Sequence, residues 1–153
     1  MATLILAGCG GAGSHKAQPQ TLEGPGFRFQ APASWTRERT RREVSARRDS
    51  DLVQVASFPL VRPYTSALFG RVAGELALRM KGVAEQSGGT IIGTHTVTVS
   101  GIRSHAYDVR VADHVDEYTF VLDGMHEYQL LCRRRSSDSG AFCDALLTSF
   151  ALA

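Results

Sequence analysis

The sequence predicts an α+β fold: an antiparallel sheet of about six strands, with one long helix and a short C-terminal helix packed on it. Three observations carry that expectation. Period-two alternation of apolar and polar residues recurs along 52–58 and again between 90 and 134. A single 3.6-residue apolar stripe runs through 64–87. A short helical segment follows the last strand, and no βαβ rhythm occurs anywhere. The bulk numbers agree, since 153 residues suit one domain. With 43% apolar and 21% charged residues, the composition is that of an ordinary globular chain. A net charge of +2 is too small to imply a nucleic-acid partner, and no apolar run approaches the ~18 residues of a spanning helix.

The elements follow in chain order. GFRFQAPASW (26–35) reads as a short strand, a proline turn and Trp35. TRERTRREVSAR (36–47) reads as one arginine-rich strand, with Arg37, Arg39 and Arg41 on its solvent face. Asp49-Ser50-Asp51 turns the chain into LVQVASF (52–58), in which Leu52, Gln54, Ala56 and Phe58 oppose Val53, Val55 and Ser57. Pro59 and Pro63 bracket a loop. The long helix spans 64–87, with Leu68, Val72, Leu76, Met80 and Val83 as its inner stripe. Thr65 or Ser66 caps its start and Gly88-Gly89 ends it. Gly70, Gly74 and Gly82 weaken it and suggest close packing on a sheet.

Four strands with tight connections come next, at 90–99, 102–112, 115–122 and 125–134. Their turns are Ser100-Gly101, Asp113-His114 and Asp123-Gly124, the last a strong hairpin signal. The expected register sets Tyr107, Val109 and Val111 opposite Phe120, Tyr118 and Asp116, with Arg110 beside Glu117. A last helix over 138–149 starts at Ser137 or Asp138 and turns Phe142, Ala145, Leu146 and Ser149 inward.

The opening TLILAGCGGAG (3–13) admits three readings. Gly8, Gly10 and Gly13 stand at G-x-G-x-x-G spacing, but a dinucleotide site needs a helix opening at the third glycine. Pro19 and Gly24-Pro25-Gly26 forbid one of useful length. Residues 3–7 could instead form a strand of a cytosolic protein. The reading that explains most is the third. Leu6-Ala7-Gly8-Cys9 resembles the lipobox of bacterial lipoproteins, and that resemblance implies a lipid thioether on Cys9. Eight residues precede Cys9 and none is Lys or Arg, so a complete signal would begin upstream of Met1. The expected organisation is a partial signal (1–8), a flexible tether (9–26) and one folded domain (27–151).

Three stretches together resemble the PsbP-like (Mog-type) α/β/α sandwich. They are GFRFQAPASW, VTVSGIRSHAYDV (97–109) and YQLLCRRRSSDSGAFCDALLTSF (128–150), and the likeness covers about residues 26–151. The resemblance implies a domain that binds other proteins rather than one that catalyses, and no catalytic motif transfers with it.

Cys132 and Cys143 would close a short loop, and outside the cytosol they would form a disulfide; two buried thiols are the alternative. His95, His105, His114 and His126 sit on or between separate strands and complete no metal-ligand set. Arg37, Arg39 and Arg41 are the candidate contact for an anionic surface; a solvated edge strand is the bland alternative. No cofactor is implied, because P-loop, G-x-S-x-G and H-E-x-x-H motifs are all missing. The expected function is a lipid-anchored, non-catalytic binding domain at the bacterial envelope. Its partners would be the membrane, through the lipid on Cys9, and an unidentified protein or wall component; no nucleic acid is expected. An enzyme using His105, Asp108 and Tyr118, and a cytosolic GTPase-binding adaptor of the same fold, are the alternatives.

Overall fold

The computed structural model describes residues 17–153. Eight strands form two sheets before the C-terminal strand β9 completes the smaller one. They are β1 (Gln20–Gly24), β2 (Phe27–Ala31), β3 (Thr36–Arg39), β4 (Glu43–Arg48), β5 (Asp51–Tyr64), β6 (Thr90–Val99), β7 (Ile102–Val111) and β8 (His114–Arg135), followed by β9 (Ala151–Leu152). The large sheet has the order β3-β4-β5-β8-β7-β6 and the small one β1-β2-β9. A 3₁₀ turn (Ser66–Leu68) leads into α1 (Phe69–Ser87), and α2 (Ala141–Ser149) follows β8. Every pairing is antiparallel. The expected fold class holds, and the two helices take opposite faces of the large sheet.

Alternation explains the two cores. On one face Leu76, Met80 and Ala84 of α1 pack on Tyr107, Val109, Phe120 and Leu122. On the other, Val53, Val55, Val121 and Leu130 meet β1, β2 and α2 through Leu22, Phe27, Phe29, Cys143 and Leu146. Phe27 lies at the centre, with its ring 6.0 Å from Tyr128 and 6.3 Å from Phe150.

β8 is one β run of 22 residues, too long to cross the domain once. It doubles back. Ser136 N–H donates to Asp113 O at 2.8 Å, so the reversal falls midway, at Gly124-Met125. The first arm pairs with β7 and the second with β5. The expected hairpin is therefore present, one residue beyond Asp123-Gly124, with Gly124 at φ 53° supplying the left-handed residue.

Several expectations need correction. The segment 36–47 is two strands, because the chain turns at Thr40–Arg42 where Thr40 N–H donates to Glu43 O at 2.8 Å. Arg37 and Arg39 therefore share the side of β3 that pairs with buried Ala46 and Val44 and turns toward β1, not an outer solvent face, and Arg41 lies apart from them in the turn. Pro59 and Pro63 lie inside β5 rather than around a loop. Among the described residues that strand has no neighbour on its β4 side past Ser57, where a missing N–H costs little. Residues 20–24, expected within the tether, form β1 because Leu22 buries opposite Phe29. The β7–β8 turn sits at Ala112-Asp113, with Val111 opposite His114, which shifts the register by two. Tyr107 thus faces Tyr118, Val109 faces Asp116, and Arg110 faces Val115 instead of Glu117. Faces survive, because the shift is even. α2 begins at Ala141, after Asp138 Oδ1 accepts from Gly140 N–H at 3.0 Å, and it buries Cys143 and Leu146 while Ala145 stays exposed.

α1 starts without a side-chain cap at Thr65 or Ser66. It ends as expected at Gly88, whose φ of 66° closes a turn in which Gly89 N–H donates to Ala84 O at 2.8 Å. Gly70, Gly74 and Gly82 serve no close packing, since a Cβ at each would meet nothing within 4 Å. Gly74→Ala should therefore raise stability by about 1 kcal/mol, read as a higher urea midpoint with an unchanged slope. A lower midpoint would show a packing role.

Candidate functional site

A groove of about 730 Å³ lies where β5 overruns the β8 reversal. Leu60–Tyr64 form one wall, and Leu68 of the 3₁₀ turn with Arg71, Val72 and Glu75 of α1 forms the other. Leu76 and Leu122 lie at its base. Val61 projects almost fully into solvent, at 97% exposure, on a strand end that is held only at Tyr64–Gly124 after the pairing of Pro59 with His126.

One end of the groove is closed by Arg79. Its guanidinium bonds both carboxylate oxygens of Glu127, with Nη2–Oε2 at 3.3 Å, and lies 5.6 Å from the Phe120 ring centre. Gln129 Nε2 also donates to Glu127 Oε1 at 2.7 Å. A buried carboxylate is thus held by two donors, which fixes this wall. Neither Arg62 nor Arg71 forms an ion pair among the described residues. The groove offers apolar surface rimmed by fixed and free charges, which suits binding of a side chain or segment.

The three residues weighed for catalysis do not converge. His105 and Tyr118 share the α1 face with Tyr107, while Asp108, between them in alternation, faces the α2 side. His105 is consumed structurally. Its ring stacks on Phe69 at 3.9 Å between centres, and its Nε2 donates to the Phe69 carbonyl at 3.0 Å. Arg103 covers the same Phe69 ring at 4.0 Å. Together these contacts clamp the start of α1 onto β7. Asp108 lies 3.9 Å from His95 Nδ1, beside a cavity of about 30 Å³, room for one water. Among the described residues, no three His, Cys, Asp or Glu side chains gather as a metal set.

The expected partner Arg110 makes no ion pair with the acidic residues of the hairpins. Instead, Arg133 grips Asp116 at 2.7 and 2.9 Å and Arg134 bonds Glu117 at 2.6 Å, across the two arms of β8. Only the side-chain direction on paired arms reveals this, so spacing alone missed it.

The tyrosines record the same burial. The Tyr118 phenol is pushed above its usual range by burial, then by Asp116, with Arg133 partly offsetting. Burial also raises Tyr107, and burial with Asp123 raises Tyr128. A raised folded-state value means the protonated fold is favoured. That stability is complete below pH ~10 and is lost as pH climbs through the folded values. Phenolate absorbance at 295 nm from Tyr107, Tyr118 and Tyr128 should therefore rise late and together with unfolding. Titration of these three near pH ~10 in the folded protein would contradict this.

Cys132 and Cys143 are joined in a disulfide, with Cα atoms 5.5 Å apart, tying the second arm of β8 to α2. Arg37 and Arg39 are exposed on β3, and Arg41 is exposed in the turn. Cys9 and the glycine triplet Gly8, Gly10 and Gly13 lie outside the described residues. Among the described residues no helix is long and apolar enough to cross a membrane.

No family model and no curated protein sequence matches the chain. Solved structures do. The solution structure of cyanobacterial PsbP (CyanoP) from Synechocystis sp. PCC 6803 superposes with a TM-score of 0.69 at 18% identity, over 97% of this chain and 99% of that one. The fold is PsbP-like. A crystal structure from Bacteroides thetaiotaomicron VPI-5482 gives a TM-score of 0.51 at 10% identity, over 89% of this chain and 49% of that one. At these identities the likeness concerns architecture. The PsbP-like sandwich accounts for the two packed faces and for the position of α2, while the groove and the disulfide are described from this chain's own residues.

Proposed function

We propose that this PsbP-like domain is a non-catalytic binding module, exported and held at the outer face of a bacterial membrane by a lipid on Cys9. The observation that carries the reading is the Cys132–Cys143 disulfide. Such bonds persist in oxidising compartments and are rare in the cytosol of mesophiles. The lipobox-like Leu6-Ala7-Gly8-Cys9 supports the same compartment, and the scattered His105, Asp108 and Tyr118 favour binding over catalysis. The groove between β5 and α1 is the surface on which a protein partner would be sought.

The test expresses the intact gene in a bacterial host fed an alkyne analogue of palmitate. The product should label, sediment with membranes and be digested by protease added to spheroplasts. Cys9→Ser should abolish the label and release the domain. An unlabelled, protease-protected product in the cytosolic fraction would reject the reading.

A further inference from the structure

We propose that the β3–β4 hairpin is a membrane-contact edge that lays Arg37, Arg39, Arg41 and Arg42 on an anionic phospholipid surface. The proposal deepens the anchored-domain reading and relies on it for the position of the tether. Residues 36–48 hold six arginines against Glu38 and Glu43, a local net charge of +4. The whole chain carries +2, so everything outside this hairpin sums to −2. The positive field is therefore concentrated at one edge of the sheet rather than spread over the surface.

That edge is preorganised. β3 is exposed at all four positions, and Arg37 and Arg39 share one side of it by alternation. Arg41 and Arg42 continue the cationic line through a turn closed by Thr40, whose Oγ1 accepts from Glu43 N–H at 3.2 Å. Glu38 is occupied by Arg47 at 3.0 Å. None of the four arginines forms an ion pair among the described residues. Glu23 of β1 and the Arg47-paired Glu38 are the acidic side chains that line the shallow groove beside Arg37 and Arg39.

The position of the chain's N-terminal end selects a membrane over other polyanions. Gln20 Nε2 donates to the carbonyls of Pro32 and Trp35, both at 2.9 Å. Trp35 immediately precedes β3, so the tether leaves the domain beside the arginine edge. From Cys9 to Gln20 the chain reaches at most about 40 Å even when fully extended. A lipid on Cys9 would hold this edge, rather than the distant β6, toward the bilayer. A basic strip beside an acyl anchor supplies a second, electrostatic attachment.

The test uses the full chain with Cys9→Ser, so that no acyl group contributes, and vesicles of phosphatidylglycerol with phosphatidylcholine. The protein should co-sediment with these in about 0.05 M salt, be released in about 0.5 M salt, and ignore pure phosphatidylcholine. Each arginine removed should weaken binding about fivefold, so R37Q/R39Q/R41Q/R42Q should lose at least about 100-fold. The control K81Q/R110Q, which removes two exposed charges elsewhere, should bind like its parent. An unchanged affinity in the quadruple variant, equal binding to neutral vesicles, or no binding at all would overturn the proposal. So would a mixed-sequence DNA duplex binding more tightly than the vesicles, which would make this a nucleic-acid surface. Failure of Cys9 labelling and failure of vesicle binding are separate results, and each rejects its own claim.

Discussion

Replacing Cys132 and Cys143 with serine lowers the folding free energy by about 3 kcal/mol. The two residues are 11 apart, and closing a loop of that size removes this much entropy from the unfolded chain. Both cysteines are buried, so the hydroxyls add a desolvation penalty in the same direction. For a domain of this size the melting temperature should fall by about 6–12 °C. Reduction of the parent protein should reproduce most of the loss, since it cuts the bond without changing the side chains. The effect has a structural address. α2 docks on β2 and β8 through Cys143, Leu146 and the partly buried Phe142, whose ring lies 4.9 Å from Trp35. Amides of α2 should therefore exchange faster in the variant than those of α1. Uniform exchange, or a loss under 1 kcal/mol, would mean that packing alone secures the helix.

Arg133→Met should cost about 2–3 kcal/mol. Asp116 is 3% exposed, and Arg133 provides both of its short bonds. Removing one partner strands a buried carboxylate, typically at 3–5 kcal/mol, reduced here because the guanidinium is about a third exposed. His114 Nε2 lies 3.7 Å from Asp116 and cannot replace the bidentate bond. The double variant D116V/R133M removes both charges and should recover at least half of the loss, since Val109 already faces position 116. Chemical denaturation of the three proteins measures the coupling. A single variant within 0.5 kcal/mol of the parent, by the usual standard for surface sites, would show that the pair is only a surface bridge.

Much of the architecture is legible in the sequence because it depends on periodicity. The α1 stripe, the Gly88 stop, the Ser100-Gly101 turn and the reversal near Gly124 are all local signals. What failed depends on neighbours. Ala112 takes φ 51°, a conformation its residue type does not announce, and this moved the β7–β8 register by two. Pro59 and Pro63 are strand residues only because one side of β5 has no neighbour there. Thr21-Leu22-Glu23 looks like tether until Phe29 is placed opposite Leu22. The candidate groove was not legible at all. It arises where the overrun of β5 meets α1, a junction of distant segments with no motif in either. The disulfide was legible because two cysteines stood near each other at the end of a strand and in the helix after it. The Asp116–Arg133 pair was not, because it needs the pairing of the two β8 arms.

The most direct measurement is the intact mass of the protein taken from its native cells, followed by alkylation without reduction. A lipid-anchored, exported protein should carry a diacylglyceryl adduct on the peptide containing Cys9 and yield Cys132 and Cys143 as one crosslinked pair with no alkylated thiol. Three alkylated cysteines and an unmodified peptide around Cys9 would contradict it.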